Sequence, residues 1–150
     1  MQRRSRATWH GALATGEGRL NTESGALTEA RYSFPTRFGS EVGTNAEELI
    51  AAAHASCFSM ALAFILGDRR TPPEEIQTVA ELSFDRDGPG WSVTGIHLNV
   101  VARVSQIDEQ EFGDAANLAK ATCLVSRLLN TTITMDARLE RVGTLIGESK

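Results

Sequence analysis

Two cysteines, Cys57 and Cys123, are the residues of this sequence with the greatest chemical potential. A cysteine thiolate attacks peroxides and disulfides, and a second thiol nearby can trap the oxidised product as a disulfide. Free cysteines are also among the most buried residue types, and thiolates bind metals. Composition alone therefore leaves three interpretations open: inert core thiols, metal ligands and a redox pair.

The metal interpretation has the weakest support of the three. The histidines His10, His54 and His97 show no paired spacing, and no Cys-x-x-Cys is present, so a tetrahedral site would need scattered single ligands. His54 lies in a strongly apolar segment, where a hydrogen-bonded core histidine is more typical than a ligand. We therefore expect no metal and no bound cofactor.

The redox interpretation requires a cation beside the sulfur, because apolar surroundings raise the pKa of a thiol. The candidate is Arg37 in the segment FPTRFG, residues 34–39, where aromatic neighbours suit a guanidinium at a partly apolar site. Such an arginine needs a carboxylate partner, which Glu47 or Glu48 can supply. An ordinary surface arginine is the alternative.

The elements that must position these residues alternate between β and α. Alternating apolar and polar residues predict strands over 6–12, 17–21, about 30–35, 76–85, 91–104 and 131–141. Pro35 is expected to end the third strand or to hold it at a sheet edge, and the Asp-Gly and Pro-Gly pairs within residues 86–90 predict a hairpin turn between the fourth and fifth. Together with two long helices, the order β-β-β-α-β-β-α-β predicts a single α+β domain over residues 1–150.

The two predicted helices each carry one cysteine. The first covers residues 46–66, with Thr44 or Asn45 as its cap, and is apolar or small almost all round. That pattern fits a membrane span or a fully buried core helix, and the polar residues His54 and Cys57 favour the core helix. The second helix opens at Asp108, with Glu111 as the capping-box partner.

Charge and the N-terminal residues restrict the partners and the location. A formal net charge of -4 and a pI near 5.4 argue against nucleic acid as a partner. The basic run at residues 2–6 is not followed by the apolar stretch of a secretory signal. We expect a cytoplasmic protein that is not embedded in a membrane, and a reducing compartment argues against a structural disulfide.

Several segments together resemble one known family. The segments are Arg37-Phe38, GTNAEELIAAAHASCFSMAL at 43–62, AKATCLVS at 119–126, Trp9-x-Gly11 and TESG at 22–25. They are similar to the hallmark segments of the osmotically inducible protein C (OsmC) and organic hydroperoxide resistance (Ohr) family, and to its OsmC branch in particular. The resemblance implies an OsmC-like α+β fold, with antiparallel sheets wrapped around two long central helices in an intertwined homodimer.

The same resemblance implies a thiol peroxidase with no cofactor. Cys57 would attack the peroxide O–O bond and become a sulfenic acid, and Cys123 would condense with it to a disulfide. Arg37, oriented by Glu47, would stabilise the thiolate, and a dithiol reductant, either a lipoyl protein or a small dithiol, would restore the pair. Organic hydroperoxides are the expected substrates, with hydrogen peroxide reduced less selectively, because apolar residues are expected near Cys57; the candidates are Phe34, Phe38 and Phe58.

Two residues depart from the family's pattern, and the spacing between Glu47 and Cys57 bears on where the site is formed. Leu124 stands where the family usually has proline after the second cysteine, which predicts a more regular helix there, and Ala46 replaces a first-turn proline. Glu47 and Cys57 are ten residues apart, about 15 Å along one helix. We therefore expect Arg37 and Glu47 of one subunit to reach Cys57 of another, at the dimer interface. The competing hypothesis is a non-catalytic dimeric stress or ligand-binding protein with buried core cysteines.

Overall fold

A computed structural model describes residues 1–140 of the chain, which form two compact units. The first unit is Met1–Ile50 and the second begins at Ala51. Whether the chain behaves as a single domain stays a prediction. The elements, in chain order, are β1 (Ser5–His10), β2 (Glu17–Thr22), β3 (Ala30–Ser33), α1 (Phe34–Phe38), α2 (Ala46–Asp68), β4 (Pro73–Asp87), β5 (Gly90–Val104), α3 (Glu109–Thr122), α4 (Leu124–Leu128) and β6 (Ile133–Leu139).

The first unit is built on an antiparallel three-stranded sheet in the order β1-β2-β3. The third strand ends at Ser33, earlier than predicted, and a short helix that the sequence pattern did not reveal follows it. Ser33 caps this helix in a capping box with Thr36, and Pro35 lies in its first turn. A proline is tolerated in the first turn of a helix, where its missing N–H leaves no hydrogen bond unmade, so Pro35 lies within this helix and β3 ends before it.

The second unit contains a sheet in the order β4-β5-β6. β4 and β5 form the predicted hairpin, with pairing down to Asp87 and Gly90. β6 runs parallel to β5, so the expectation of purely antiparallel sheets is wrong at this pair. The reason is topological, because α3 and α4 carry the chain back over the sheet before β6 enters it. The predicted strand extended to residue 141, which lies outside the described residues.

Helix α2 begins as expected but is not fully buried. The Glu48 N–H donates to Asn45 Oδ1 at 2.8 Å, so Asn45 is its cap. One stripe of the helix has no or little exposed surface: His54, Phe58, Leu62, Ile65 and Leu66. Another stripe is open, with Met60 and Phe64 each 75% exposed. A helix that is apolar all round presents apolar residues on any face that its own chain leaves uncovered, so the burial predicted for this helix is only partial within one chain.

Length and composition would also allow Ala46–Asp68 to cross a membrane, as they would for many core helices of soluble proteins. Only 28% of its most apolar window is buried by the rest of the described chain. The remaining apolar surface needs either a second subunit or some other apolar partner to cover it.

The second predicted helix is divided into α3 and α4 at Cys123. The capping box of Asp108 and Glu111 opens α3 as expected. Phe112, Ala115, Ala116 and Ala119 are its buried residues. At Cys123 the backbone has φ -53° and ψ 126°, which ends α3 and starts α4.

Candidate active site

Both cysteines line one cavity of about 680 Å³ in the second unit. Cys57, on α2, is partly exposed, whereas Cys123, between α3 and α4, is 1% exposed. Both are free thiols. None of the described residues around this cavity is charged; they are Ser56, Cys57, Met60, Ala61, Phe64, Ile65, Leu118, Thr122, Cys123 and Leu124. The cavity therefore offers an apolar surface with two sulfurs in its wall.

The helix break places Cys123 at this wall. Its N–H donates to the Ala119 carbonyl at 2.8 Å as the last bond of α3, and its carbonyl accepts from the Arg127 N–H at 3.0 Å as the first bond of α4. A ψ of 126° is the extended value that a following proline would impose. The expectation that Leu124 leaves the helix more regular is therefore wrong. The break persists without proline.

The sulfur of Cys123 lies among hydrogen-bond donors. Burial raises the pKa of this thiol, but the polar hydrogens near it, those of the Ser126 N–H and hydroxyl, the Cys57 thiol and the Val125 N–H, outweigh burial and lower it. The Cys123 side chain accepts no capping hydrogen bond at the start of α4. The lowered pKa therefore reflects several weak donors acting together.

Ser126 connects Cys123 to His54. The His54 Nε2 and Ser126 Oγ atoms are 2.7 Å apart, and His54 has no exposed surface. Burial lowers the pKa of His54, so the imidazole is neutral. Within residues 1–140 its Nδ1 atom has no hydrogen-bond partner. His54 is thus a hydrogen-bonded core histidine, as the sequence pattern indicated, and its partner is a residue next to the second thiol.

In the first unit, Arg37 forms an ion pair with Glu47. The Arg37 Nε donates to both carboxylate oxygens of Glu47, at 3.0 and 3.1 Å, and Nη2 donates to Oε1. The Glu47 side chain is only 12% exposed and the Arg37 side chain 42%. Of the two candidate carboxylates, Glu47 is therefore the partner, while Glu48 accepts from the Thr44 hydroxyl at 3.0 Å.

Backbone contacts hold this pair in place. The Thr36 hydroxyl donates to the Thr44 carbonyl at 2.9 Å, and the Asn45 amide donates to the Thr36 carbonyl at 3.2 Å. These bonds fix the short helix α1 against the start of α2, so that Arg37 and Glu47 meet. A bidentate guanidinium with its carboxylate already in place needs little reorganisation to present its remaining N–H groups to an anion.

Aromatic side chains surround the guanidinium. The Phe34 and Phe38 rings are 4.8 Å apart between centroids, and the Arg37 guanidinium carbon lies 4.9 Å from the Phe38 centroid. A second cavity, of about 350 Å³, is formed entirely within this unit by Trp9, Leu13, Tyr32, Ser33, Phe34, Arg37 and Phe38. Phe34 and Phe38 thus flank the Arg37 guanidinium in the first unit. The two cysteines line a separate cavity in the second unit.

Phe58, the third aromatic residue expected near substrate, is a core residue. It has no exposed surface and is absent from the lining of the cysteine cavity. The reason is its position directly after Cys57, which turns its side chain about 100° around the helix. Met60 and Phe64, three and seven residues after Cys57, share the cysteine's face and line the cavity instead. The helical spacing of these residues could have predicted this.

Ser126 was also missed by the sequence reasoning, although its spacing carried a signal. It lies three residues after Cys123, the separation that brings an N-cap side chain beside the N3 residue. Among residues 1–140, no group of three or more His, Cys, Asp or Glu side chains is placed to hold a metal ion.

A family model and a curated relative both match most of this chain. The family model of OsmC-like proteins matches residues 38–138, a range that starts directly after Arg37 and contains Glu47 and both cysteines. The chain is 43% identical over 140 residues to Peroxiredoxin OsmC of Escherichia coli (strain K12), covering 93% of this chain and 98% of that protein.

Solved structures resemble the fold at lower sequence identity. The organic hydroperoxide resistance protein OhrB of Bacillus subtilis superposes with a TM-score of 0.67 at 21% identity, over 90% of this chain and 98% of that one. An OsmC-like protein of Vibrio cholerae superposes with a TM-score of 0.74 at 17% identity, over 92% and 99%. These two structures establish the fold, and the family match with the E. coli relative establishes the family. The chain is a member of the OsmC-like protein family.

Proposed function

We propose that this OsmC-family peroxidase reduces organic hydroperoxides to alcohols through a Cys57 sulfenate and a Cys57–Cys123 disulfide. The observation that carries the proposal is that both thiols line one apolar cavity, with Cys57 among the groups that lower the pKa of Cys123. A pair of core thiols with no chemical role does not need an open cavity beside it.

The first step is attack on the peroxide by Cys57, which is the more exposed of the two thiols. Its thiolate bonds to one peroxide oxygen while the O–O bond breaks, and the other oxygen leaves as the alcohol after taking up a proton. The sulfur is oxidised to a sulfenic acid and the peroxide is reduced. The organic group of the substrate lies along the apolar wall of the cavity.

The second step is closure of the disulfide. The Cys123 sulfur attacks the Cys57 sulfenic sulfur, the S–O bond breaks, and hydroxide leaves as water with the proton that the Cys123 thiol gave up. A dithiol reductant, either a lipoyl protein or a small dithiol, then attacks the disulfide and restores both thiols by exchange, becoming a disulfide itself. Closure protects Cys57 from further oxidation.

Arg37, oriented by its ion pair with Glu47, supplies the positive charge that the cysteine cavity lacks. We place the guanidinium of one protomer beside Cys57 of its partner, in a homodimer with active sites at the interface. The apolar stripe supports such an interface, because Met60 and Phe64 of α2 and Leu124 and Leu128 near α4 are each at least 73% exposed in the single chain. A fixed cation near the sulfur stabilises both the thiolate and the charge that develops on the departing oxygen.

The wall of the cavity explains the expected substrate preference. Met60, Phe64 and Leu118 present apolar surface next to Cys57, and Phe34 and Phe38 flank the arginine in the first unit. Burial of apolar surface contributes about 25 cal/mol per Å², which favours an alkyl or aryl hydroperoxide over hydrogen peroxide. We place the reaction in the cytoplasm, where dithiol reductants are available, with neither nucleic acid nor membrane as a partner.

Steady-state kinetics with a dithiol reductant test this function. We expect a higher kcat/KM for cumene hydroperoxide than for hydrogen peroxide. Cys123→Ser is expected to consume about one equivalent of peroxide per chain and stall as the sulfenic acid, or to overoxidise when each further equivalent of peroxide adds another oxygen atom to Cys57. Sustained turnover of that variant at the wild-type rate would remove Cys123 from the mechanism, and an inactive wild-type protein would favour a non-catalytic binding protein.

A subunit-mixing experiment tests the shared site. Neither Cys57→Ser nor Arg37→Gln is expected to be active alone, but a mixed dimer has one complete site made of Cys57 from one protomer and Arg37 from the other. Random assortment predicts recovery of about a quarter of the wild-type activity after mixing. If both residues act within one protomer, mixing recovers nothing.

A further inference from the structure

We propose that His54 is a positioning residue that, through Ser126, directs a hydroxyl hydrogen bond onto the Cys123 sulfur and so holds Cys123 ready to close the disulfide. This deepens and rests on the proposed function, in which Cys123 attacks the Cys57 sulfenic acid. His54 touches neither substrate nor either sulfur in that scheme. Its effect passes through one serine.

The geometry begins with an unusual placement of polar side chains in a core. His54 has no exposed surface, on the stripe of α2 that also carries Phe58 and Leu62. Placing an imidazole there costs free energy unless its nitrogen atoms find partners. The partner of Nε2 is Ser126 Oγ at 2.7 Å, whereas Nδ1 has none among residues 1–140. An apolar side chain would fill this space without leaving an unpaired polar atom, so packing alone does not account for histidine.

The unpaired Nδ1 atom indicates which nitrogen carries the hydrogen. The imidazole is neutral because burial lowers the pKa of His54. A hydrogen on Nδ1 would be a buried donor without an acceptor, an arrangement that proteins avoid more strictly than an unpaired acceptor. The hydrogen therefore lies on Nε2, which donates to the Ser126 oxygen.

That direction sets the direction of the serine hydroxyl. With its oxygen accepting from His54, Ser126 directs its own hydrogen to another acceptor. Cys123 is the N-cap of α4 and Ser126 is the third residue of that helix, a spacing at which the N-cap and N3 residues are neighbours. The Cys123 sulfur, 1% exposed, is the acceptor that its surroundings supply. The chain of donors is His54 Nε2–H to Ser126 Oγ–H to Cys123 Sγ.

The donor chain answers a requirement of the disulfide step. Burial raises the pKa of the Cys123 thiol, and the donors around it, Ser126 foremost, bring it down. Closure forms the S–S bond from the Cys123 thiolate, breaks the Cys57 S–O bond and releases water. No charged side chain lines the described cavity, so the hydroxyl takes the place of a cation at this second sulfur.

Four single variants test the assignment in the closure step. After one equivalent of cumene hydroperoxide, we expect disulfide formation to slow about three- to ten-fold in Ser126→Ala and in His54→Leu, because thiolate is lost but the remaining thiolate is more nucleophilic. The more slowly the disulfide closes in a variant, the more of its Cys57 sulfenic acid dimedone should trap. His54→Gln, whose amide N–H reaches the same place, is expected to restore most of the rate. Ser59→Ala, which removes a different partly buried α2 hydroxyl that bonds to Thr78 at 2.8 Å, is the matched control and should close at the wild-type rate.

A second measurement does not depend on peroxide chemistry. In a Cys57→Ser background, the ultraviolet absorbance of the Cys123 thiolate gives its pKa directly. We expect that pKa to rise on adding Ser126→Ala or His54→Leu, and to return towards the starting value with His54→Gln. If the wild-type protein proves inactive towards peroxides but this pattern holds, the proposed function fails and the donor chain stands. If His54→Leu leaves the Cys123 pKa unchanged in a folded protein, or His54→Gln behaves like His54→Leu, the donor chain is wrong. Should His54→Leu fail to fold, the comparison of Ser126→Ala with Ser59→Ala decides in the same way.

Discussion

The region around Arg37 and the region around Cys57 differ in nearly every physical property. The first holds a cation and a carboxylate in a bidentate pair, fixed by hydrogen bonds at the start of α2, with no thiol. The second holds two thiols in an apolar cavity without a charged residue in its described wall. Each region has what the other lacks for peroxide chemistry, namely a fixed positive charge and a nucleophile.

The contrast shows that each region lacks a group that peroxide chemistry needs. A buried thiolate without a cation is costly, and an arginine with no thiolate to serve would be an ordinary exposed ion pair that contributes little stability. Within the cysteine region, different groups stabilise the two sulfurs. Cys123 has neutral donors from its own unit, whereas Cys57 is left to the charge that we propose the partner subunit brings.

Loss of the nucleophile has the largest expected effect. Cys57→Ser should lower kcat/KM for cumene hydroperoxide by roughly 10³-fold or more, since a serine hydroxyl stays protonated at neutral pH. The fold should survive, because Cys57 is only partly buried and serine is close in size. Circular dichroism and thermal unfolding serve as the control. Full activity of the folded variant would remove the second region from the chemistry altogether.

Loss of the cation comes next and tests whether the first region takes part at all. Arg37→Gln should lower kcat/KM by about 10²-fold, the usual loss for one electrostatic donor at a developing charge. Arg31→Gln is the matched control, because Arg31 is equally exposed and also paired with carboxylates, those of Glu17 and Glu41. Equal activities of the two variants would make Arg37 an ordinary surface residue.

The wall of the thiol cavity should affect selectivity rather than chemistry. Met60→Ala is expected to raise KM for cumene hydroperoxide about ten-fold with little change for hydrogen peroxide, because only the larger substrate loses apolar contact. Phe58→Ala should instead cost about 3–5 kcal/mol of unfolding free energy, as for a buried aromatic residue, with the ratio of the two substrates unchanged. A shift in that ratio for Phe58→Ala would return Phe58 to the substrate site.

The smallest expected effect is the pH dependence of stability that His54 contributes. Burial lowers its pKa in the folded protein, so below about pH 6.5, its ordinary value, the unfolded chain takes up a proton that the folded chain does not. The stability that the neutral, buried His54 contributes is therefore complete above that pH. It is lost as the pH falls, at up to about 1.4 kcal/mol of unfolding free energy per pH unit. Urea unfolding between pH 5 and 7 should give an unfolding free energy that changes less with pH for His54→Gln than for the wild type. Equal changes with pH would mean that His54 titrates alike in both states.

Local signals in the sequence predicted the features that depend on a few neighbouring residues. The cap at Asn45, the capping box of Asp108 and Glu111 and the hairpin at Gly88 follow from residue types a few positions apart. The pairing of Arg37 with a carboxylate at the start of α2 was expected from the need to neutralise a guanidinium, and the structure identifies Glu47.

Features that depend on contacts far apart in the sequence were not predicted. The parallel pairing of β6 with β5 results from the path of α3 and α4 over the sheet. The bond between His54 and Ser126 joins residues on two helices, and neither segment alone indicates it. The break at Cys123 was not predicted, because a proline would have explained it and Leu124 stands there instead, yet the Cys123 backbone is extended in ψ.

The most direct test of the Cys57–Cys123 disulfide is a count of free thiols by intact mass after one equivalent of cumene hydroperoxide. We expect both free thiols to disappear together in the wild-type chain, with the loss of two hydrogen atoms and no added oxygen, and peptide mapping to find Cys57 joined to Cys123. If both thiols remain free and the peroxide is unconsumed, the two cysteines are core residues and the protein does not act through them.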